Sequence, residues 1–109
     1  MRNLGFVLIF MVFLFGCAST TKISEIKSNP EVYLNSEVTV EGRVTQTIGA
    51  PLSSKGLYQV DDGESSIWIY TEHGVPMRGE KVKVKGVVKS GITLLGKTFA
   101  VILVEKERK

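Results

Sequence analysis

The residues that could do chemistry are few, and most of them read better as structure. Gly91-Ile92-Thr93-Leu94-Leu95-Gly96-Lys97-Thr98 fits the phosphate-cradling pattern G-x-x-x-x-G-K-[ST]. That pattern works where a strand runs into a helix whose first backbone N–H groups face the phosphates. Here Phe99-Ala100-Val101-Ile102-Leu103-Val104 follows, β-branched and aromatic with no helix start, so the segment predicts a hairpin connection between two strands. Asp61, Asp62 and Glu64 lack the further ligands of a calcium loop and predict a solvated turn. His73 is the only histidine and Cys17 the only cysteine, which excludes a Cys/His zinc cluster and an internal disulfide. With no base beside any serine, the chain predicts a protein that is not an enzyme and needs neither metal nor cofactor.

Two further groups point to binding. In Ser66-Ile67-Trp68-Ile69-Tyr70 the residues alternate, so an interior that takes Ile67 and Ile69 leaves Trp68 and Tyr70 outside. Outward aromatic rings stack on bases, sugar rings or peptide side chains, unless a loop or the N-terminal segment covers them as ordinary packing. Lys81, Lys83 and Lys85, with Lys89 beyond, share one strand face. Such a row meets phosphates or an anionic membrane surface, but a solubilising face that discourages edge pairing is the simpler reading. A net charge of +3 over 109 residues is slight for a nucleic-acid binder, which concentrates its basic charge.

The elements that must position these residues follow from periodicity. A chain of 109 residues has room for one small domain, and 43% hydrophobic against 23% charged residues excludes a disordered or collagen-like polymer. Glu37 to Val44 and Glu80 to Val88 alternate valine with charge, each with a glycine (Gly42, Gly86) on the inward side, where a missing side chain permits a sharp bend or bulge. Leu57 to Asp61 and Ser66 to Tyr70 form a hairpin through Asp61-Asp62-Gly63-Glu64. Lys97 to Val104 is a fifth strand, buried on both faces. Ile23 to Lys27 makes a turn or two of helix with Ile23 and Ile26 on one face, stopped at Asn29-Pro30.

Ahead of these lies Met1-Arg2-Asn3 and an uncharged run, Leu4 to Phe15. Twelve helical residues reach about 18 Å, short of the roughly 30 Å of a bilayer core, so the run reads as the apolar region of a signal peptide. Leu14-Phe15-Gly16-Cys17 resembles the lipobox of bacterial lipoproteins, with Phe15 bulkier than is usual there. The resemblance implies cleavage before Cys17, acylation of its thiol and amine, and anchorage to membrane lipid outside the cytoplasm. It divides the chain into a signal peptide (1–16), a lipidated Cys17 with its tether (17–22) and a folded domain (23–109). Ala18 in place of Asp favours the outer membrane if the host is Gram-negative.

The five strands resemble the OB-fold, an all-β Greek-key barrel, of the anticodon-binding type also found in small bacterial lipoproteins. The residues carrying the likeness are Val38-Thr39-Val40-Glu41-Gly42-Arg43-Val44, then Tyr58-Gln59-Val60-Asp61-Asp62-Gly63 leading to Ile67-Trp68-Ile69, and Gly79-Glu80-Lys81-Val82-Lys83-Val84-Lys85-Gly86. Where that family often has a plugging helix between strands three and four, this chain has a Gly/Pro loop, and Ile23 to Leu34 is the expected substitute. The resemblance implies a ligand face on strands two and three, flanked by the loops Gly49 to Lys55 and Ser90 to Gly96. Gln59, Trp68, Tyr70, Leu94 and Leu95 are the candidate residues of that face, and Lys81, Lys83 and Lys85, singled out by their own charge, are candidate cationic contacts for a phosphate-bearing ligand. The implied role is non-catalytic binding of an envelope protein, peptide or glycan. Single-stranded nucleic acid, or a structural envelope role without a small ligand, are the alternatives.

Overall fold

The computed structural model describes residues 20–49, 54–94 and 96–109. Cys17, the leader before it and Leu95 lie outside the described residues. Two short helices, α1 (Ile23–Ser28) and α2 (Pro30–Tyr33), precede five strands: β1 (Glu37–Ile48), β2 (Gly56–Asp61), β3 (Ser66–Thr71), β4 (Lys81–Leu94) and β5 (Lys97–Arg108). Asn29-Pro30 ends α1 as expected, but Pro30 then opens α2, since its fixed φ and missing N–H suit a first helical position.

The strands close into a barrel in the order β1-β2-β3-β5-β4. Every neighbouring pair is antiparallel except β3 and β5, which run parallel through Trp68↔Ile102, Ile69↔Leu103 and Tyr70↔Val104. Closure requires β1 to serve two partners. Its first half pairs with β4 and its second half with β2, and Arg43 is opposite both Lys81 and Asp61. Gly42 sits at that change of partner. A Cβ there would come within 2.3 Å of the Asp61 carbonyl oxygen, closer than any side chain tolerates. Gly86 plays the same part on β4, where the register slips and a Cβ would lie 2.5 Å from the Val104 carbonyl oxygen.

Alternation fills the interior. Val38, Val40 and Val44 of β1, Tyr58 and Val60 of β2, Ile67 and Ile69 of β3, Val82, Val84 and Val88 of β4 and Leu103 of β5 form one buried cluster. Ile23 and Ile26 of α1 join it with no exposed surface, so the N-terminal helix does plug the barrel. Burying two isoleucines contributes roughly 3–6 kcal/mol, far more than a six-residue helix could supply from its own hydrogen bonds.

The turn read as a solvated loop has a structural task. One Asp62 carboxylate oxygen accepts from the backbone N–H of Glu64 and Ser65 at 3.0 Å, and the other accepts from the N–H of Ile23 at 3.1 Å. Asp62 therefore closes the β2–β3 turn and caps α1 from across the barrel. Burial raises its pKa, but these backbone donors outweigh burial and hold the carboxyl below its ordinary range.

Three strands are longer than their sequence patterns suggest. β1 runs on to Ile48, β4 to Leu94 and β5 to Arg108. The segment Ser90 to Gly96, expected as a flanking loop, is instead mostly paired strand. Ser90↔Val101, Ile92↔Phe99, Thr93↔Thr98 and Leu94↔Lys97 make it the arm of a long β4–β5 hairpin projecting past β1.

Candidate functional site

The barrel wall turns Trp68 and Tyr70 outward, as the alternation of β3 requires, with Ile67, Ile69 and Thr71 buried on the other side. Outward is not bare. Both rings belong to a second apolar cluster built on the outer face of β2, β3 and β5, around the buried Leu57, Phe99 and Ile102. Ile48, Ile92 and Leu94 complete it, so the β4–β5 arm supplies much of this surface.

Trp68 is half-buried. The Phe99 ring lies 6.0 Å away, tilted by 54°, and the Lys97 ammonium stands 4.9 Å above the indole. A cation over an indole contributes about 0.5–1 kcal/mol at such a partly exposed site. Tyr70 donates its hydroxyl to Glu72 at 3.1 Å, and burial first, then that carboxylate, raise its pKa. Gln59 is the cross-strand neighbour of Trp68, and its side-chain oxygen accepts from Thr45 at 3.1 Å. Leu94, expected as an exposed loop residue, is half-buried in the outer cluster because its segment is strand.

The structure does not bring the lysines to this face. Lys81, Lys83 and Lys85 are exposed on β4, opposite Arg43, Glu41 and Thr39 of β1. Around the ring β5 stands between β4 and β3, so the lysine row and Trp68 look out from different sides of the barrel. β4 pairs with β1 from Lys81 to Val87 but with β5 only from Val84 onward, so Lys85 lies between two strands and Lys81 at the start of the strand has β1 alone beside it. Lys89 is tied to the Asn35 side chain at 2.9 Å.

Inside the barrel the periodicity hid a polar network. Glu105, expected in a C-terminal tail, continues the inward alternation of Val101 and Leu103 and is buried. Its carboxylate accepts from Tyr58 at 2.5 Å, from Thr71 at 3.1 Å and from Arg108 at 2.9 Å. Arg108 also donates to the Gly74 carbonyl at 2.9 Å, tying β5 to the loop between β3 and β4. Burial, and then Glu105, push the Tyr58 phenol far above its ordinary range. No buried side-chain polar atom among the described residues is left without a partner, which marks a satisfied structural network.

The other chemical candidates stay apart. Gly91 to Leu94 ends β4 and Lys97 begins β5, a strand where a nucleotide site needs a helix. His73 is exposed in the β3–β4 loop, where its backbone N–H donates to Thr71 at 2.9 Å. Among the described residues no three His, Cys, Asp or Glu side chains gather as metal ligands would, and no helix is long and apolar enough to cross a membrane.

No family model matches the chain, and no curated protein matches it. Solved structures do. The OBody AM3L09, bound to hen egg-white lysozyme, superposes with a TM-score of 0.54 at 23% identity over 71% of this chain and 82% of its own. A second, OBody AM2EP06 bound to the same lysozyme, gives 0.53 at 22% identity over 71% and 81%. An aspartyl-tRNA synthetase from Leishmania major Friedlin gives 0.57 at 19% identity over 83% of this chain and 21% of its own length. The fold is therefore OB-like: a five-stranded closed barrel with two short helices at its N-terminal side.

Proposed function

We propose that this protein is a bacterial lipoprotein whose OB-like domain, a Greek-key barrel of the anticodon-binding type, is a non-catalytic binding module for an envelope protein, peptide or glycan. Residues 1–16 are its signal peptide and Cys17 carries the acyl chains, outside the cytoplasm. The observation that carries the binding reading is the outer cluster of β2, β3 and β5. The barrel interior is filled without Trp68, Tyr70, Ile92 or Leu94, yet the chain gathers them on one outward face. Aromatic rings with one apolar side and one wet side are the usual anchors of a docking surface. An OBody, built on the same fold, is bound to lysozyme, which supports a protein or peptide over a small molecule as the ligand.

Single-stranded nucleic acid would need base stacking and phosphate neutralisation on one surface, and the placement of the lysines beyond β5 favours the peptide or glycan reading.

The test has two arms. Wild-type protein should incorporate labelled fatty acid and sediment with membranes, and Cys17→Ser should do neither. Trp68 is the only tryptophan, so its emission reports the outer face alone. Acrylamide quenching, and a spectral shift on titration with peptide pools or cell-wall oligosaccharides, support the binding face. Blue emission that resists quenching and responds to none of these removes it. A shift with oligothymidylate that collapses as salt rises would move the assignment to nucleic acid.

A further inference from the structure

We propose that the outer face of β1 and β4, with its row of lysines, lies against anionic phospholipid headgroups and sets the orientation of the barrel on the membrane. The inference rests on the acylation of Cys17 proposed above and adds to it a second, charge-based contact.

The geometry starts at the point where the chain enters the domain. The backbone N–H of Thr21 donates to the Thr39 carbonyl at 2.7 Å, and two residues later Ile23 is held by Asp62. The entry segment is thus pinned to β1. Thr21 is only four positions after Cys17, and four steps of at most about 3.5 Å reach about 14 Å. Acyl chains on Cys17 would hold Thr39 within that distance of the lipid surface.

Thr39 faces outward between the buried Val38 and Val40, and its cross-strand partner on β4 is Lys85. Lys83 and Lys81 follow on the same face at two-residue steps of roughly 7 Å. Glu41 and Glu107 stand opposite Lys83 and Lys85, Glu37 is exposed on the same side of β1, and all three lower the net charge. Arg43, opposite Lys81, and the exposed Lys22 beside the pin restore a positive balance. Each lysine brought to an anionic surface raises partitioning roughly five-fold within a Debye length. The pin therefore keeps the lysine row close enough to the lipid for a tilt of the barrel to bring it within that length. Trp68, two strands round the ring, is left facing away from the lipid and open to partners.

The experiment uses the full acylated protein in vesicles. Acylation would leave Cys17 without a free thiol, so a cysteine introduced at Thr39 or at Lys97 takes a fluorophore uniquely. Quenching by a nitroxide attached to the lipid headgroup then compares the two positions. In vesicles rich in phosphatidylglycerol the Thr39→Cys label should be quenched several-fold more strongly than the Lys97→Cys label. The difference should fall below two-fold in phosphatidylcholine, at high salt, or in a Lys81→Glu, Lys83→Glu, Lys85→Glu background. All three lysines are exposed, and salt repeats the test without substitution. Equal quenching at both positions in anionic vesicles overturns the proposal. So does a difference that salt and lipid charge leave unchanged, since the tether alone would then set the orientation. In both cases membrane anchorage survives, which separates this failure from that of acylation. If the mass of the protein shows Cys17 unmodified, both readings fall together.

Discussion

The barrel wall separates two apolar clusters of unlike construction. The inner one is mostly aliphatic, sealed at one end by α1, and carries a fully paired polar network on Glu105. The outer one carries Trp68, Tyr70 and Phe99 among its aliphatic members, is partly exposed around a buried centre, and draws on a hairpin arm that extends beyond the closed part of the sheet. β5 feeds both, with Leu103 inside and Ile102 outside. Closure of the ring compels the inner contacts, since every strand must turn one face inward. The outer contacts depend on where the arm comes to rest. Stability should therefore be concentrated in the inner cluster, and adaptability in the outer.

The largest test of that contrast is Glu105→Ala. It leaves the hydroxyls of Tyr58 and Thr71 without their acceptor and the Arg108 guanidinium with the Gly74 carbonyl but no counter-charge, and should cost about 3–5 kcal/mol in urea unfolding. A loss below about 1 kcal/mol would mean that water replaces the carboxylate and that the inner cluster is less closed than its contacts imply. Next comes Ile26→Ala, which empties part of the plug and should cost about 2–4 kcal/mol by the same measurement.

Trp68→Ala is predicted to do less. Its ring is half-exposed, so the stability loss should be about 1–2 kcal/mol, while any ligand response of the outer face disappears. A loss equal to that of Ile26→Ala would make the outer cluster a second core and weaken its claim as a docking surface. The smallest effect belongs to Asp62. Its folded-state pKa is depressed, so its contribution is complete above the unfolded carboxyl range and is lost as pH falls through the folded value. Thermal stability of the wild type should decline below about pH 4 partly through this group. Asp62→Ala should remove that part of the acid sensitivity and cost about 1 kcal/mol at neutral pH, as loss of a helix cap does.

Legibility in the sequence differed between the same two regions. The valine alternation of β1 and β4, the inward isoleucines of β3 and the plug residues Ile23 and Ile26 are where periodicity puts them. Glu105 broke the reading because a carboxylate ordinarily marks the end of a buried strand. Only three partners, from β2, β3 and β5 itself, make its burial tolerable. The outer cluster was half visible. Trp68 and Tyr70 follow from parity, but Phe99 shares the pleat side of Val101 and Leu103 and still packs outside. By Phe99 the arm has left the ring, so no interior remains on that side to receive the ring.

The grouping of the lysines with Trp68 failed for a related reason. Parity tells which side of a sheet a residue occupies, and in a closed barrel the outside is one continuous surface that looks in every direction. Placing Lys83 relative to Trp68 needs the order of strands around the ring, which is a fact of pairing and not of any one strand.

Local chemistry was enough to place the five strands, though not all their ends, their inward faces and the short N-terminal helix, because each depends on residues two to four positions apart. Only the folded chain decided that Asp62 caps a helix 39 residues away, that Glu105 is buried, and that the aromatic and lysine faces part company. Those outcomes depend on which distant backbone comes alongside. That choice is made by the assembly of several strands at once, since no strand or lone hairpin is stable by itself.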